Sequence, residues 1–372
     1  MINNLLKRKF RKYISTILNT PAYLFFRKYY EVSRDNLPLK PGISAVVAAK
    51  DEEYIIPYCL ESLIGFADQI ICIDNGSKDS TLKLMKKFKA DNLDIDVVII
   101  SMPNALLGEC REAGLIATKH QWHLRWDADM VCKTTGKESM LKLRDKILMD
   151  NKPRAIRLPR TNLDGDFQHT SRLKEVVDPG EPILIRFSKY IKYVEYGKFD
   201  TIKLPLFYKS ASESKRYYFH CEGLKSEERL IYRQCYFIWR DLVNKAKTRS
   251  LKNKLENFND FKKYYEKTLF GTNNLKELKY RHSRQYCILH YQPYSTKIYG
   301  DYPKILNDAI KNNEERFIVK YKNNKPYIRV DKKDVEMIDY IPTENDLNWD
   351  VNNYLKSLHN FEKKIFEEYE FI

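Results

Sequence analysis

Residues 43–53 read Ile43-Ser44-Ala45-Val46-Val47-Ala48-Ala49-Lys50-Asp51-Glu52-Glu53, an apolar run that turns abruptly to charge. A run without polar alternation suits a parallel strand buried on both faces. Working outward, Pro38, Pro41 and Gly42 mark Asn36–Gly42 as a linker into that strand. Downstream, Tyr54–Gly65 places Ile55, Cys59, Leu60 and Leu63 at helical spacing, and Gln69–Ile73 reads as a second strand. The turn Asp74-Asn75-Gly76-Ser77 follows, with Ser77 expected to cap a helix over Asp79–Phe88. Asp96–Ser101 and Trp122–Trp126 give the third and fourth strands. This alternation predicts an α/β fold, a Rossmann-like, doubly wound and mostly parallel sheet. Such sheets bind ligands beyond the carboxyl ends of their strands.

Beyond residue 150 the pattern changes. Arg154–Leu158, Ile183–Phe187 and Arg216–Phe219 read as strands, residues 225–315 as a charged helical region, and Phe317–Val330 as a hairpin about Asn323-Asn324. The expected organisation is a basic segment over residues 1–35, a main domain over 43–222, and a helical C-terminal region over 223–372 with a small hairpin and tail. Within the main domain, residues 43–132 form one half and 150–222 the other.

Composition narrows the class. With 372 residues, 43% of them hydrophobic, the chain can bury a large core and is not wholly disordered. The net charge of +16 favours phosphate-bearing partners without choosing among nucleic acid, anionic lipid and phosphorylated small molecules. Seven scattered cysteines without a CxxC pair argue for buried free thiols in a reducing compartment, against a disulfide framework or zinc site. The apolar stretches Ile43–Ala49 and Val97–Ile100 are far shorter than the ~20 residues of a membrane helix. Near the start, Lys7, Arg8, Lys9, Arg11 and Lys12 interleave with Leu5, Leu6, Phe10, Ile14, Ile17 and Leu18. That pattern suits an amphipathic helix, either packed on the domain or lying on an anionic leaflet. A cytoplasmic location, peripheral on the inner face of the membrane, follows as an expectation.

The chemistry-bearing residues fall after the early strands. Trp126-Asp127-Ala128-Asp129 closes the fourth strand, and two carboxylates at i and i+2 on a strand end can converge on one hard cation. A nucleoside diphosphate needs such a cation to neutralise it as a leaving group. Alone the triplet is a weak signal. Three further clusters share its predicted sheet edge: Ala48-Ala49-Lys50-Asp51-Glu52-Glu53, Ile73-Asp74-Asn75-Gly76-Ser77-Lys78-Asp79 and Gly108-Glu109-Cys110-Arg111-Glu112-Ala113-Gly114.

In these ordered clusters the chain resembles the family 2 glycosyltransferases of GT-A fold, particularly those that extend lipopolysaccharide cores and capsules. The latter share the Ala67-Asp68-Gln69-Ile70-Ile71 style of entry to the second strand. The resemblance covers residues 43–132 well and 150–222 loosely. Asp51 stands where the family usually has Asn, Asn75 where many members have Asp, and Glu112 where Asn is usual. The resemblance implies a nucleotide-sugar donor, UDP-linked, bound about Ala48, Glu52, Asp74, Arg111 and Asp127. A carboxylate accepting an imide N–H suits uracil, although Asp74 has the alternative of capping its own turn. Arg111 would pair with phosphate or with Asp127. Asp129 would ligate Mg²⁺ or Mn²⁺ directly, and Asp127 would reach the ribose or the metal. His220 either completes that shell or is an ordinary core histidine.

An inverting transfer also needs a carboxylate to take the acceptor proton. In the resembled family this acid precedes an Arg-apolar pair. Here Glu181, with Asp178 second, precedes Arg186-Phe187, while Asp164 and Asp166 are outside candidates that would shape the acceptor site. The acceptor implied is a glycan or glycolipid in cell-surface polysaccharide synthesis. Two other classes compete. A sugar nucleotidyltransferase wants a Gly-rich basic loop after the first strand, where this chain has Lys50-Asp51-Glu52-Glu53. A non-enzymatic basic protein bound to membrane or nucleic acid predicts a recognisable reader module, and no nucleic-acid module is legible.

Overall fold

The structure, a computed structural model, describes residues 39–150, 152, 154–171, 180–196, 199–205, 208–245, 256–334, 337, 339–348 and 351–368. The N-terminal basic segment lies outside the described residues, as does Asp178. The chain divides into two compact units. The first comprises the described parts of Met1–Thr161, Val176–His220 and Asp301–Asn307; the second those of Asn162–Glu175, Cys221–Gly300 and Asp308–Ile372.

The first unit is built from Lys40–Ala49 (β1), Ile56–Ser62 (α1), Gln69–Asp74 (β2), Thr81–Asp91 (α2), Asp96–Ser101 (β3), Leu107–Ala117 (α3), His120–Asp127 (β4), Met130–Cys132 (β5) and Met140–Leu148 (α4). There follow Arg154–Arg157 (β6), Arg160–Asn162 (β7), where the chain passes to the second unit, and His169–Ser171 (β8) within that unit. The first unit resumes with Pro182–Arg186 (β9), Lys192–Tyr196 (β10), Phe199–Lys203 (β11), Lys209–Ser212 (β12) and Tyr218–His220 (β13). Seven strands form one sheet in the order β12-β6-β9-β4-β1-β2-β3. The β4-β1-β2-β3 half is parallel throughout, and β9 runs antiparallel to both β4 and β6.

The apolar run of β1 is buried on both faces because helices cover both. Ala45 and Val47 join Cys59 and Leu60 of α1, Leu63 at its C-cap, Met85 of α2 and Leu143 of α4 in one cluster. Val46 and Ile73 meet Cys110 and Ala113 of α3 on the other side. Double coverage of this kind removes the alternation an exposed sheet face would impose.

Two sequence expectations shift. The linker drawn to Gly42 ends earlier: β1 begins at Lys40, paired with His120, and a bulge covers Pro41 and Gly42. There the Ile43 N–H donates to Asp68 Oδ2 at 2.8 Å, and Arg144 grips the same carboxylate with both guanidinium nitrogens at 2.8 Å. The α2 cap also moves, from Ser77 to Ser80, and α2 starts at Thr81. Ser77 is engaged elsewhere, its hydroxyl accepting the Asp51 N–H at 3.1 Å.

The second unit carries Glu227–Lys245 (α5), Phe258–Phe270 (α6), Leu275–His290 (α7), Tyr291–Pro293 (β14) and Thr296–Tyr299 (α8). Lys304–Lys311 (α9), Phe317–Lys322 (β15), Lys325–Asp331 (β16), Glu344–Asn348 (α10) and Val351–Glu368 (α11) complete the chain's elements. Asn323 and Asn324, with φ of 51° and 60°, turn β15 into β16, the left-handed pair that a two-residue hairpin requires. Arg329 of β16 is fully buried and donates to Glu227 at 2.8 Å and to the Gly223 carbonyl at 2.6 Å, while His282 meets Glu227 at 2.5 Å. Asp166 is spent in the same manner, on His169 at 2.6 Å, and Tyr291 is buried with Tyr286 half-buried against it. Among the described residues no helix is long and apolar enough to cross a membrane, and all seven cysteines are buried and free.

Candidate active site

The four sequence clusters meet at one edge of the sheet. Parallel register sets Ala49 level with Asp74 and Ala48 level with Asp127, so the chain leaves β1, β2 and β4 on the same side. The loops after β1 and β2 are laced together. Glu52 N–H donates to Thr81 Oγ1 at 2.7 Å, Glu53 N–H to Asp79 Oδ2 at 3.0 Å, and Lys78 N–H to Asp51 Oδ1 at 2.7 Å. Asp51 adopts φ of 55°, a region tolerated by Asp and Asn, and its carboxylate accepts the Lys78 amide as an Asn carbonyl also could. Asp74 is 2% exposed and accepts the Gly76 and Ser77 N–H groups, both at 3.2 Å. It therefore shapes the turn, the second of its two sequence readings. Asn75 ties that turn to the loop before α3, donating to the Ala105 carbonyl at 2.8 Å.

Helix α3 presents Arg111. Glu109 accepts the Leu106 N–H at 2.7 Å and fixes the helix start, while Gly114 lets the helix approach Val46 closely. Arg111 is 4% exposed and donates to Asp127 Oδ1 at 2.7 Å, and its Nε lies 3.1 Å from Asp200 of β11. Glu112, the other departure from the family pattern, accepts the Tyr193 N–H at 2.7 Å and anchors β10 to the helix.

Strand β4 sorts its residues by alternation. Trp122, Leu124 and Trp126 enter the core, and His123, Arg125 and Asp127 share the opposite face. Arg125 holds Glu181 Oε2 at 2.7 Å, a carboxylate 54% exposed. Burial opposes the Arg125 charge, but Asp127, Asp200 and Glu181 raise its pKa above the ordinary value. Burial likewise works against the Asp127 anion, yet Arg111 and Arg125 hold its carboxyl below the usual range.

After Asp127 the chain bends. Trp126 Nε1–H donates to the Met130 carbonyl at 3.0 Å, closing the Asp-Ala-Asp turn. Strand β5 then pairs antiparallel with β13, setting Met130 opposite His220 and so bringing that histidine beside Asp129. His220 Nε2 lies 3.3 Å from Asp129 Oδ1. One donor atom each from Asp127, Asp129 and His220 falls within 4.8 Å of the others. Two carboxylate oxygens and an imidazole nitrogen, both Asp129 and His220 buried, are a donor set that fits a divalent cation such as Mg²⁺ or Mn²⁺.

The structure thus brings Ala48, Glu52, Asp74, Arg111, Asp127, Asp129 and Glu181 to one edge with His220, all within the first unit. Asp164 and Asp166 belong to the second unit. Sequence reasoning missed Arg125 and Asp200. Period-two alternation back from Asp127 would have found Arg125; no local signal marks Asp200.

A doubly wound α/β sheet with a carboxylate pair and an arginine at its carboxyl edge has the place beyond its strand ends where such sheets take ligands. Residues 44–148 match the family model described as Glycosyl transferase family 2, and that segment is a glycosyltransferase domain of this family. That match favours the glycosyltransferase reading over the nucleotidyltransferase and non-enzymatic ones. No curated protein matches the chain. Among solved structures it is similar to Staphylococcus aureus TarS, at 14% identity and a TM-score of 0.33, over 66% of this chain and 48% of that one. A 1–349 form of TarS in complex with UDP-GlcNAc aligns over 77% of this chain and 98% of its own, at 14% identity and a TM-score of 0.34. The mannosyltransferase PcManGT of Pyrobaculum calidifontis, in complex with GDP-Man and Mn²⁺, aligns at 9% identity over 64% and 74%, with a TM-score of 0.36. The chain spans about half the length of the first of these.

Proposed function

We propose that this glycosyltransferase moves a sugar from a UDP-linked donor to a glycan or glycolipid acceptor, with inversion at the anomeric carbon. The convergence of Asp127, Asp129 and His220 beside Arg111 carries the reading. Asp127, Asp129 and His220 would hold Mg²⁺ or Mn²⁺, which when bound neutralises the donor diphosphate and the charge it gains on departure. Arg111, fixed by its carboxylates, supplies fixed positive charge at the same edge. Glu52, in the loop locked to α2, would read the base in place of Asp74, which shapes its own turn.

Chemically, the acceptor oxygen bonds to the anomeric carbon as the bond to the diphosphate breaks. The acceptor proton passes to a carboxylate on the opposite face of the sugar. Glu181 is the described candidate, oriented by Arg125 at 2.7 Å; Asp178 is the second. Synthesis of lipopolysaccharide or capsule at the cytoplasmic face of the membrane, with the basic N-terminal segment on anionic lipid, accords with the net charge of +16.

A thermal-shift panel of nucleotides and nucleotide-sugars, each with and without Mn²⁺, tests the donor. Ligand that binds the native state raises its melting temperature. UDP with Mn²⁺ is expected to give a shift of several degrees, greater than either alone. A panel in which no uridine nucleotide shifts the transition contradicts the UDP reading.

A further inference from the structure

Arg111 lies between two carboxylates that come from different elements. Asp127, at the end of β4, accepts from Nη2 at 2.7 Å; Asp200, on β11, lies 3.1 Å from Nε. Both Arg111 and Asp200 are almost fully buried, at 4% and 3% exposure, whereas Asp127 keeps 27% of its side chain open. The β10–β11 hairpin is no loose flap. Glu112, next to Arg111 in the chain, accepts the Tyr193 N–H at 2.7 Å, and Tyr193 and Asp200 sit on paired strands. His123 Nε2 meets the Tyr193 hydroxyl at 2.9 Å and fixes β10 from the β4 side as well.

The charges in this layer are Arg111 and Arg125 against Asp127, Asp200 and the more exposed Glu181. If Asp200 were neutral, the two guanidiniums would face chiefly Asp127. A cation binding at Asp127 must compete with them for the same carboxylate, and in a buried layer that competition is poorly screened.

We propose that Asp200 is a positioning residue for the cation site: by sharing the Arg111 charge, it leaves Asp127 available as a ligand. The proposal rests on the reading of Asp127, Asp129 and His220 as a cation site. It assigns the long hairpin a function, to deliver a counter-charge behind the arginine. It also gives Glu112 a purpose as the anchor of that hairpin. Outer partners of metal ligands typically set affinity by about 10-fold or more.

The test is Mn²⁺ binding by electron paramagnetic resonance, which counts free Mn²⁺ without requiring turnover, on the wild type, Asp200→Asn and Asp200→Glu. Wild type is expected to bind one Mn²⁺ per chain. Asp200→Asn should raise the dissociation constant roughly 10-fold, and Asp200→Glu should restore it to within about threefold of wild type. The turnover defect of Asp200→Asn should recover as Mn²⁺ is raised, which a defect of folding alone would not do. If Asp200→Asn does not fold, Asp200→Ser carries the same comparison. Equal Mn²⁺ affinity in wild type and the uncharged variant overturns the proposal while leaving the cation site standing. Absence of Mn²⁺ binding by the wild type overturns both.

Discussion

Gly114→Ala is the sharpest probe of how the fold sets the site. An added Cβ would lie 2.2 Å from Val46 Cγ1 and 3.1 Å from Ile73 Cδ1. Ordinary carbon contacts are about 3.5–4.0 Å, so helix and strand must part by more than about 1 Å. Val46 is buried in the sheet and β-branched, and its Cγ2 would also lie 3.0 Å from the added Cβ, so turning its side chain gives little relief. Alanine in a helix interior is by itself worth about 1 kcal/mol over glycine. Overpacking of this kind costs about 1–3 kcal/mol, and a contact this short belongs at the upper end. A net loss of about 1–2 kcal/mol should remain, a fall of about 2–8 °C in melting temperature for a unit of this size. Because Arg111 lies one turn before Gly114, the displacement also moves the Arg111–Asp127 pair, and the KM for the donor should rise. The assay is urea denaturation of Gly114→Ala, Val46→Ala and the double variant. Truncating Val46 removes the obstacle, so the double variant should be more stable than the sum of single effects allows, by about 1–2 kcal/mol. Additive effects, or a Gly114→Ala protein as stable as wild type, would refute the close approach.

Asp129→Ala should lower turnover by about 100-fold or more, because charge stabilisation at the departing diphosphate is worth several kcal/mol, with an unchanged melting temperature as the control; retention of a tenth of the activity contradicts the role. His123 is buried, and burial together with Arg111 and Arg125 pushes its pKa down to about 3. The unfolded chain therefore binds the proton first, so stability present above pH 6.5 should fall by about 1.4 kcal/mol per unit between pH 6.5 and 3. Urea midpoints against pH should show a shallower acid slope for His123→Gln, and an unchanged slope counts against a neutral His123. Asp68→Ala leaves Arg144 and the Ile43 N–H without their shared acceptor, and should destabilise by about 1–3 kcal/mol in a thermal or urea melt.

The parallel half of the sheet was legible because helices cover both faces, turning Ile43–Ala49 and Gln69–Ile73 into runs that alternating exposure would have broken. The β15–β16 hairpin was legible because Asn323-Asn324 takes a conformation few other residues accept. The Asp127 and Asp129 positions follow from a strand end, a local feature. What was not legible depends on pairing at a distance. Asp200 reaches Arg111 only because β10–β11 folds back on α3; His220 was named through the family resemblance alone, since it is the β5–β13 register that sets it beside Asp129. Ser77 reads as a cap from its neighbours, but the Asp51 amide claims its hydroxyl and Ser80 takes the position. The passage of residues 162–171 into the second unit has no compositional mark at all.

Anomalous diffraction at the manganese edge, from crystals grown with Mn²⁺ and UDP, addresses the site itself. A single strong peak is expected within about 2.0–2.3 Å of an Asp129 oxygen and the His220 imidazole, with Asp127 on its other side and diphosphate oxygens completing the shell. Nucleotide bound at this edge with the manganese peak remote from Asp129, or no peak at all, would contradict the account.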